Sequence, residues 1–297
     1  MLYYVLPGAG IYGGVKKGFH CADLLTEAGH PCTVATPTAE RPDWFSTHCD
    51  VITHDALRDR CRREDTLLFS CPADAPLVDA LPAGRKIVHM QGANTAADHA
   101  LYDPARGYEF ISHGLHMTHE LLRHGRVAAA VPMGIPDVFR WRGEEKRPLR
   151  IAAMPRKGAA TLDVVRGSLP PGAELVLLDG LLENEVAAAL KGADVFLAIS
   201  PDEAFGLPPL EAMCAGCCVV GFPGVGGFEF LRHRDTAWVV ANGDVDGLIG
   251  ALHHVCAHPA LRDALRRRGF ALSAAYTLAR ERAFLLRALD LGDEGDA

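Results

Sequence analysis

No run of apolar residues in this chain reaches the roughly 20 that a bilayer-spanning helix needs. No basic segment precedes the first apolar stretch, Met1-Leu2-Tyr3-Tyr4-Val5-Leu6, which is cut short by Pro7-Gly8 and reads as a first strand, not a signal peptide. Basic amphipathic segments of the kind that dock on membrane surfaces are missing, so no stable membrane insertion is expected. There is no Lys/Arg stripe, and a net charge of −7 with a pI near 6.0 excludes nucleic acid as the main ligand. The nine cysteines are odd in number and lack framework spacing, so they read as buried thiols of a protein in a reducing cytoplasm. Cys214-x-x-Cys217 straddles a helix end and the next strand, where packing explains it better than metal or redox chemistry. Repeats and low-complexity segments are absent.

What the chain does have is alternation. Its 297 residues suit two domains of about 150 each. Leu2–Leu6, Cys32–Ala35, Thr66–Ser70 and Lys86–Met90 read as strands with helical segments between them, which implies parallel βαβ units. The polar stretch Arg140–Pro148 interrupts this pattern. Leu149–Met154 then opens a second series, continued by Glu174–Leu178, Val195–Ile199, Cys217–Gly221 and Ala237–Val240. The expected class is α/β, with two Rossmann-like doubly wound domains meeting at a cleft where ligands bind beyond the strand carboxyl ends. The expected boundaries are 1–140 and 141–275, followed by a helix over 276–289 packing back on the first domain and a disordered tail over 290–297.

The stretch Ser200-Pro201-Asp202-Glu203-Ala204-Phe205-Gly206-Leu207-Pro208-Pro209-Leu210-Glu211 sets two carboxylates eight positions apart around a glycine and a proline pair. It follows an apolar run, Asp194 to Ile199, that reads as a strand buried on both faces, so Glu203 lies in the loop past the strand's carboxyl end. Pro208 and Pro209 suit the first turn of a helix, which places Glu211 in that turn. A helix start favours a diphosphate, through free N–H groups and a partial positive charge of about half a unit. A carboxylate beside it can accept two adjacent hydroxyls, as a ribose presents them, while the other faces the sugar. Gly206 allows the backbone to approach closely.

On these residues the sequence resembles the retaining glycosyltransferases of family 4, which have the two-domain GT-B architecture and a Glu-x7-Glu signature. The resemblance continues through Glu211 to Gly221 and through Gly224-Val225-Gly226-Gly227-Phe228-Glu229. It implies transfer of a sugar from a UDP- or GDP-sugar to a small acceptor, a natural product or thiol among them, with retention of configuration. The implied donor contacts are Glu211 on the ribose, Glu203 on sugar hydroxyls, and Ser200, Phe205, Gly206, Leu207, Pro208, Gly226 and Gly227 around them. It also implies that Arg156 and Lys157, in Pro155-Arg156-Lys157-Gly158 after the first strand of the second series, neutralise the departing diphosphate. No cofactor and no metal is expected, and the sequence leaves homodimerisation open. A sugar-nucleotide epimerase, a phosphorylase and a non-catalytic sugar-nucleotide-binding subunit are the alternatives.

The loop Gly8-Ala9-Gly10-Ile11-Tyr12-Gly13-Gly14 contains the spacing of a dinucleotide site. Such a site needs an acid at the end of the second strand, yet Ala35-Thr36-Pro37-Thr38 stands there. The resemblance assigns Gly13-Gly14 instead to a loop facing the donor phosphate or the acceptor. In Ile87-Val88-His89-Met90-Gln91-Gly92-Ala93-Asn94, it places His89 near the reacting centre, although some short relatives carry a Gln at about this position. A lone His in such a run serves equally as a satisfied core group, and both readings stand. His113, His116 and His119 recur every three residues, with His124 after them, but no acidic or cysteine partner completes a metal set.

Overall fold

A computed structural model describes residues 1–92 and 96–292. Two compact units are present, one of residues 1–133 with 278–297 and one of residues 134–277. Among the described residues no helix is long and apolar enough to cross a membrane.

The first unit runs β1 (Leu2–Val5), α1 (Gly13–Glu27), β2 (Cys32–Thr36), β3 (Val51–Thr53), α2 (His54–Arg60), β4 (Thr66–Phe69), α3 (Ala75–Ala80), β5 (Arg85–Met90), α4 (Ala96–His99), β6 (Glu109–Ser112), α5 (Gly114–Arg123) and β7 (Ala129–Ala130). Its strands pair in parallel in the order β3-β2-β1-β4-β5-β6-β7. The order reverses between β1 and β4, the switch point at which doubly wound sheets bind ligands. Side-chain alternation divides the core between the two faces of this sheet. Tyr3, Val5, Leu67 and Phe69 belong to one buried cluster, while Tyr4, Leu6, Val34 and Leu68 belong to the other. Each such side chain contributes about 1.5–3 kcal/mol by leaving water.

In the second unit come β8 (Arg147–Ala153), α6 (Ala159–Arg166), β9 (Glu174–Leu177), α7 (Glu183–Gly192), β10 (Ala193–Ala198), α8 (Leu207–Cys214), β11 (Cys218–Gly221), β12 (Trp238–Val239), α9 (Val245–Ala257) and α10 (Pro259–Ser273). The parallel order is β12-β11-β10-β8-β9, with its switch point between β8 and β10. Asp194, at the start of β10, pairs with Arg262 (2.9 Å) and Arg266 (3.7 Å) of α10 and accepts from Leu149 N (3.2 Å). A buried carboxylate at that point requires such partners, and this one ties the helix to the sheet.

The final helix, α11 (Leu278–Ala288), belongs to the first unit and packs on α1. Lys17 Nζ meets Glu281 Oε2 at 2.5 Å there, both side chains being fully buried. The units divide at Met133/Gly134, seven residues before the expected boundary at 140/141. The reason is packing that the polar composition of Arg140–Pro148 hides. Ile135 N donates to Tyr276 O (3.0 Å), Trp141 N donates to Cys214 O (2.9 Å), and the Trp141 ring lies 5.7 Å from that of Phe270. The tail expected to be disordered from 290 onward is engaged at its start, where Leu291 N donates to Leu286 O (2.9 Å); 293–297 lie outside the described residues.

Candidate active site

In the second unit the candidate residues gather at the β8/β10 switch point. β10 is buried along its whole length, as its unbroken Ala-Asp-Val-Phe-Leu-Ala run requires. The chain then leaves the sheet through Ser200 and turns at Glu203, whose N–H donates to Ser200 O (3.3 Å). Ser200, Glu203, Gly206 and Pro208 line one pocket together with Met154, Ile199, Phe222 and Pro223. Lys157 Nζ donates to Glu203 Oε2 at 3.1 Å, with the lysine half exposed and the glutamate 19% exposed. Arg156 and Lys157 occupy a short 3-10 turn, Pro155–Lys157, that leads directly into α6.

Two helix starts flank this pocket. α6 has no side-chain cap, and its first hydrogen bond runs from Leu162 N to Gly158 O (2.9 Å), so the N–H groups of Ala159, Ala160 and Thr161 have no acceptor within the helix. A pair of cations beside a helix N-terminus is unfavourable unless an anion joins them. α8 begins at Leu207 from Gly206, which takes the left-handed conformation (φ 102°), and Pro208 and Pro209 remove two donors, leaving Leu207 to supply the N–H. Glu211 is the fifth residue of α8 and stands in its second turn, not the first, because the helix starts one residue before the proline pair. It is buried, at 6% exposure.

The glycine loop after β11 folds back on the Glu203 segment. Val225 N donates to Glu203 O at 2.7 Å. A Cβ at Gly224 would come within 2.4 Å of Glu203 O, and one at Gly226 within 2.2 Å of Ala204 O, so these positions exclude side chains outright. Gly227 is less confined, its nearest neighbour being Leu231 Cδ1 at 3.1 Å. Asn242 clamps the loop from outside, accepting from Gly224 N (3.1 Å) and donating to Gly224 O (2.8 Å). Sequence reasoning missed Asn242, and nothing local marks it. Phe205, expected at the donor, is a core residue at 4% exposure, its ring 5.6 Å from that of Phe230.

In the first unit, Gly13 and Gly14 open α1 at the end of the first glycine loop. A Cβ on Gly14 would lie 3.0 Å from Gln91 Oε1. Gly18 allows α1 to sit on β1, since a Cβ there would meet Tyr4 Cε1 at 2.8 Å. His89 does not face solvent beside this loop: it is 1% exposed, with both ring nitrogens engaged. The hydrogen bonds form a directed chain. His113 Nδ1 must donate to Val131 O (2.7 Å), so its Nε2 accepts from His89 Nε2 (2.6 Å), and His89 Nδ1 accepts from Tyr4 OH (2.7 Å). Tyr4 OH in turn accepts from Gln91 Nε2 at 3.0 Å, which turns Gln91 Oε1, a buried acceptor without a partner, away from the chain. Burial pushes the His89 ring down to about 3, with Lys17 adding to the effect, and holds His113 well below the usual histidine range. The sequence-predicted catalytic histidine is therefore a neutral core group that orients Gln91.

Residues 169–271 match the family described as glycosyl transferases group 1. This segment belongs to that family. The chain is also similar to an alpha-1,6-glucosyltransferase of Actinobacillus pleuropneumoniae serotype 7 (strain AP76), at 33% identity over 96 residues, or 30% of this chain. The matched stretch spans 29% of that protein. The fold is similar over nearly the whole length to a glycosyltransferase from Rickettsia africae ESF-5, with a TM-score of 0.73, 12% identity and coverage of 98% of this chain and 99% of that one. It is similar also to Anabaena Alr3699/HepE in complex with UDP-glucose, with a TM-score of 0.75, 10% identity and coverage of 97% and 99%. The group 1 segment carries β9 to β12 with Glu203 and Glu211, while β8, Arg156 and Lys157 precede it.

Proposed function

We propose that this chain transfers a sugar from a nucleotide-diphosphate donor to a small acceptor, with retention at the anomeric carbon. One observation carries the reading: in the unit that holds the group 1 segment, Glu203 lines a pocket at the β8/β10 switch point and its carboxylate is paired at 3.1 Å with a lysine at a helix start. Donor diphosphate takes Arg156, Lys157, the free N–H groups of α6 and the Leu207 N–H. These meet the charge that develops as the bond from the anomeric carbon to the diphosphate breaks. Glu203 accepts from sugar hydroxyls and Glu211 from the ribose. The acceptor attacks on the face the diphosphate leaves, and the departing phosphate takes the acceptor's proton.

UDP-glucose is the first donor to try, because a structure of the same fold, HepE, was solved with it. Incubated with UDP- or GDP-hexoses and a panel of sugar, thiol and natural-product acceptors, the protein should release nucleoside diphosphate only when an acceptor is present. The product should keep the donor's anomeric configuration. Isomerisation of donor alone, dependence on inorganic phosphate, or binding without turnover would each replace this reading with an epimerase, a phosphorylase or a silent subunit.

A further inference from the structure

The last turn of α5 carries Glu120 and the helix ends at His124, where His124 Nε2 lies 3.1 Å from Glu120 Oε1. His99, at the end of α4, joins them, and one ligand atom from each of the three lies within 4.8 Å of the others. We propose that His99, Glu120 and His124 form a binding site for a borderline divalent cation, Zn²⁺ above all, separate from the residues assigned to sugar transfer.

Two imidazoles and a carboxylate suit zinc, which takes three protein ligands and keeps a fourth position for water. Bonds of about 2.0–2.1 Å in a tetrahedron set neighbouring ligand atoms about 3.3–3.5 Å apart. The Glu120–His124 edge, at 3.1 Å, is already close to that, and the exposed His99 stands within 4.8 Å of both. His124 is the C-cap of α5, where the helix dipole favours a cation. Arg123 meets Glu120 at 3.9 Å from a largely exposed position, a weak pair that leaves the mostly buried carboxylate available.

Independent support comes from the aromatic stack around the three ligands. The His99 and His124 rings lie 4.8 Å apart, and the Tyr102 ring packs on both, at 5.5 and 4.9 Å. Arg126 fixes this arrangement by donating twice to Tyr102 O, at 2.7 and 2.6 Å. Tyr102 is 5% exposed, yet its hydroxyl is buried without a partner. A metal-bound water is a group such an orphan can meet. Of the regularly spaced His113, His116 and His119, His113 is engaged in the buried chain to His89.

The test is titration of the chelator-stripped full chain with ZnCl2, by calorimetry and thermal shift. The expected result is one Zn²⁺ per chain at micromolar affinity with a raised Tm, and no response to Mg²⁺. His99→Ala and Glu120→Gln should each weaken binding at least about tenfold, whereas His254→Ala, which breaks another close histidine pair (rings 4.3 Å apart), should not. No binding to the unaltered chain would overturn the proposal. So would binding that survives both His99→Ala and Glu120→Gln, or that is lost in His254→Ala alone.

Discussion

Glu203→Gln should lower sugar transfer by about a hundredfold or more while the protein stays folded, the scale typical of losing one preorganised charged group at a reacting centre. The substitution keeps the side chain's shape, and the Val225 N to Glu203 O bond that anchors the glycine loop is a backbone contact that survives. What disappears is the negative charge paired with Lys157, the one proposed to meet the sugar hydroxyls. That ion pair is half exposed on the lysine side, so its loss should cost less than about 1 kcal/mol of stability. Turnover should therefore fall with Tm nearly unchanged. If Lys157 and Glu203 act as one unit, the double variant Lys157→Met/Glu203→Gln loses less than the sum of the single losses. A Glu203→Gln enzyme that turns over at the original rate would remove Glu203 from the mechanism.

The second large effect is on stability, and acid is the lever. His20, His89 and His113 are all buried in the first unit, and burial holds each below the ordinary histidine value. Below about pH 6.5 the unfolded chain binds protons on these rings while the folded chain does not, so stability falls as pH falls. The limiting slope is about 1.4 kcal/mol per pH unit for each ring, and for His89 the window extends down to about pH 3. Asp74 acts in the opposite sense. Burial raises its carboxyl from 3.8 to about 6, so between those values the folded chain holds the extra proton and one histidine is offset. Three histidines outweigh this one carboxyl, so stability falls as the pH falls below 6, against a typical total of about 5–15 kcal/mol. Urea midpoints followed by Trp44 fluorescence, with Trp141 and Trp238 replaced by Phe, should drop steeply over that range. A midpoint flat from pH 7 to 5 would show that these rings titrate freely in the folded state.

The parts of the site that were legible in the sequence are the local ones. β10, the Glu-x7-Glu spacing and Gly206 could be read because a buried strand, a loop and a helix start follow one another within about twenty residues of chain. Glu211 was misplaced by one step of register, since a proline pair fits the second and third helical positions as well as the first two, and only the left-handed Gly206 decides it. His89 stayed open between a ligand and a core group because its burial depends on Tyr4 and His113, which lie 85 and 24 residues away. Asn242 and Trp141 left no signal because their work is done on backbone atoms brought close by the tertiary fold: Gly224 for Asn242, Cys214 for Trp141. The division between the units lies seven residues before the expected one for a related reason. Polar composition marks solvent exposure, and Arg140–Pro148 is polar while its Trp141 is packed against the second unit.

The measurement that reaches the centre of this account is calorimetric binding of UDP, GDP, ADP and dTDP to the full chain, with NAD as the comparison. Tight binding of one nucleoside diphosphate is expected, weakened when Arg156, Lys157 or Glu211 is replaced and indifferent to replacement of Gly10. Binding of NAD alone, sensitive to the Gly8–Gly14 loop and not to Glu211, would contradict it.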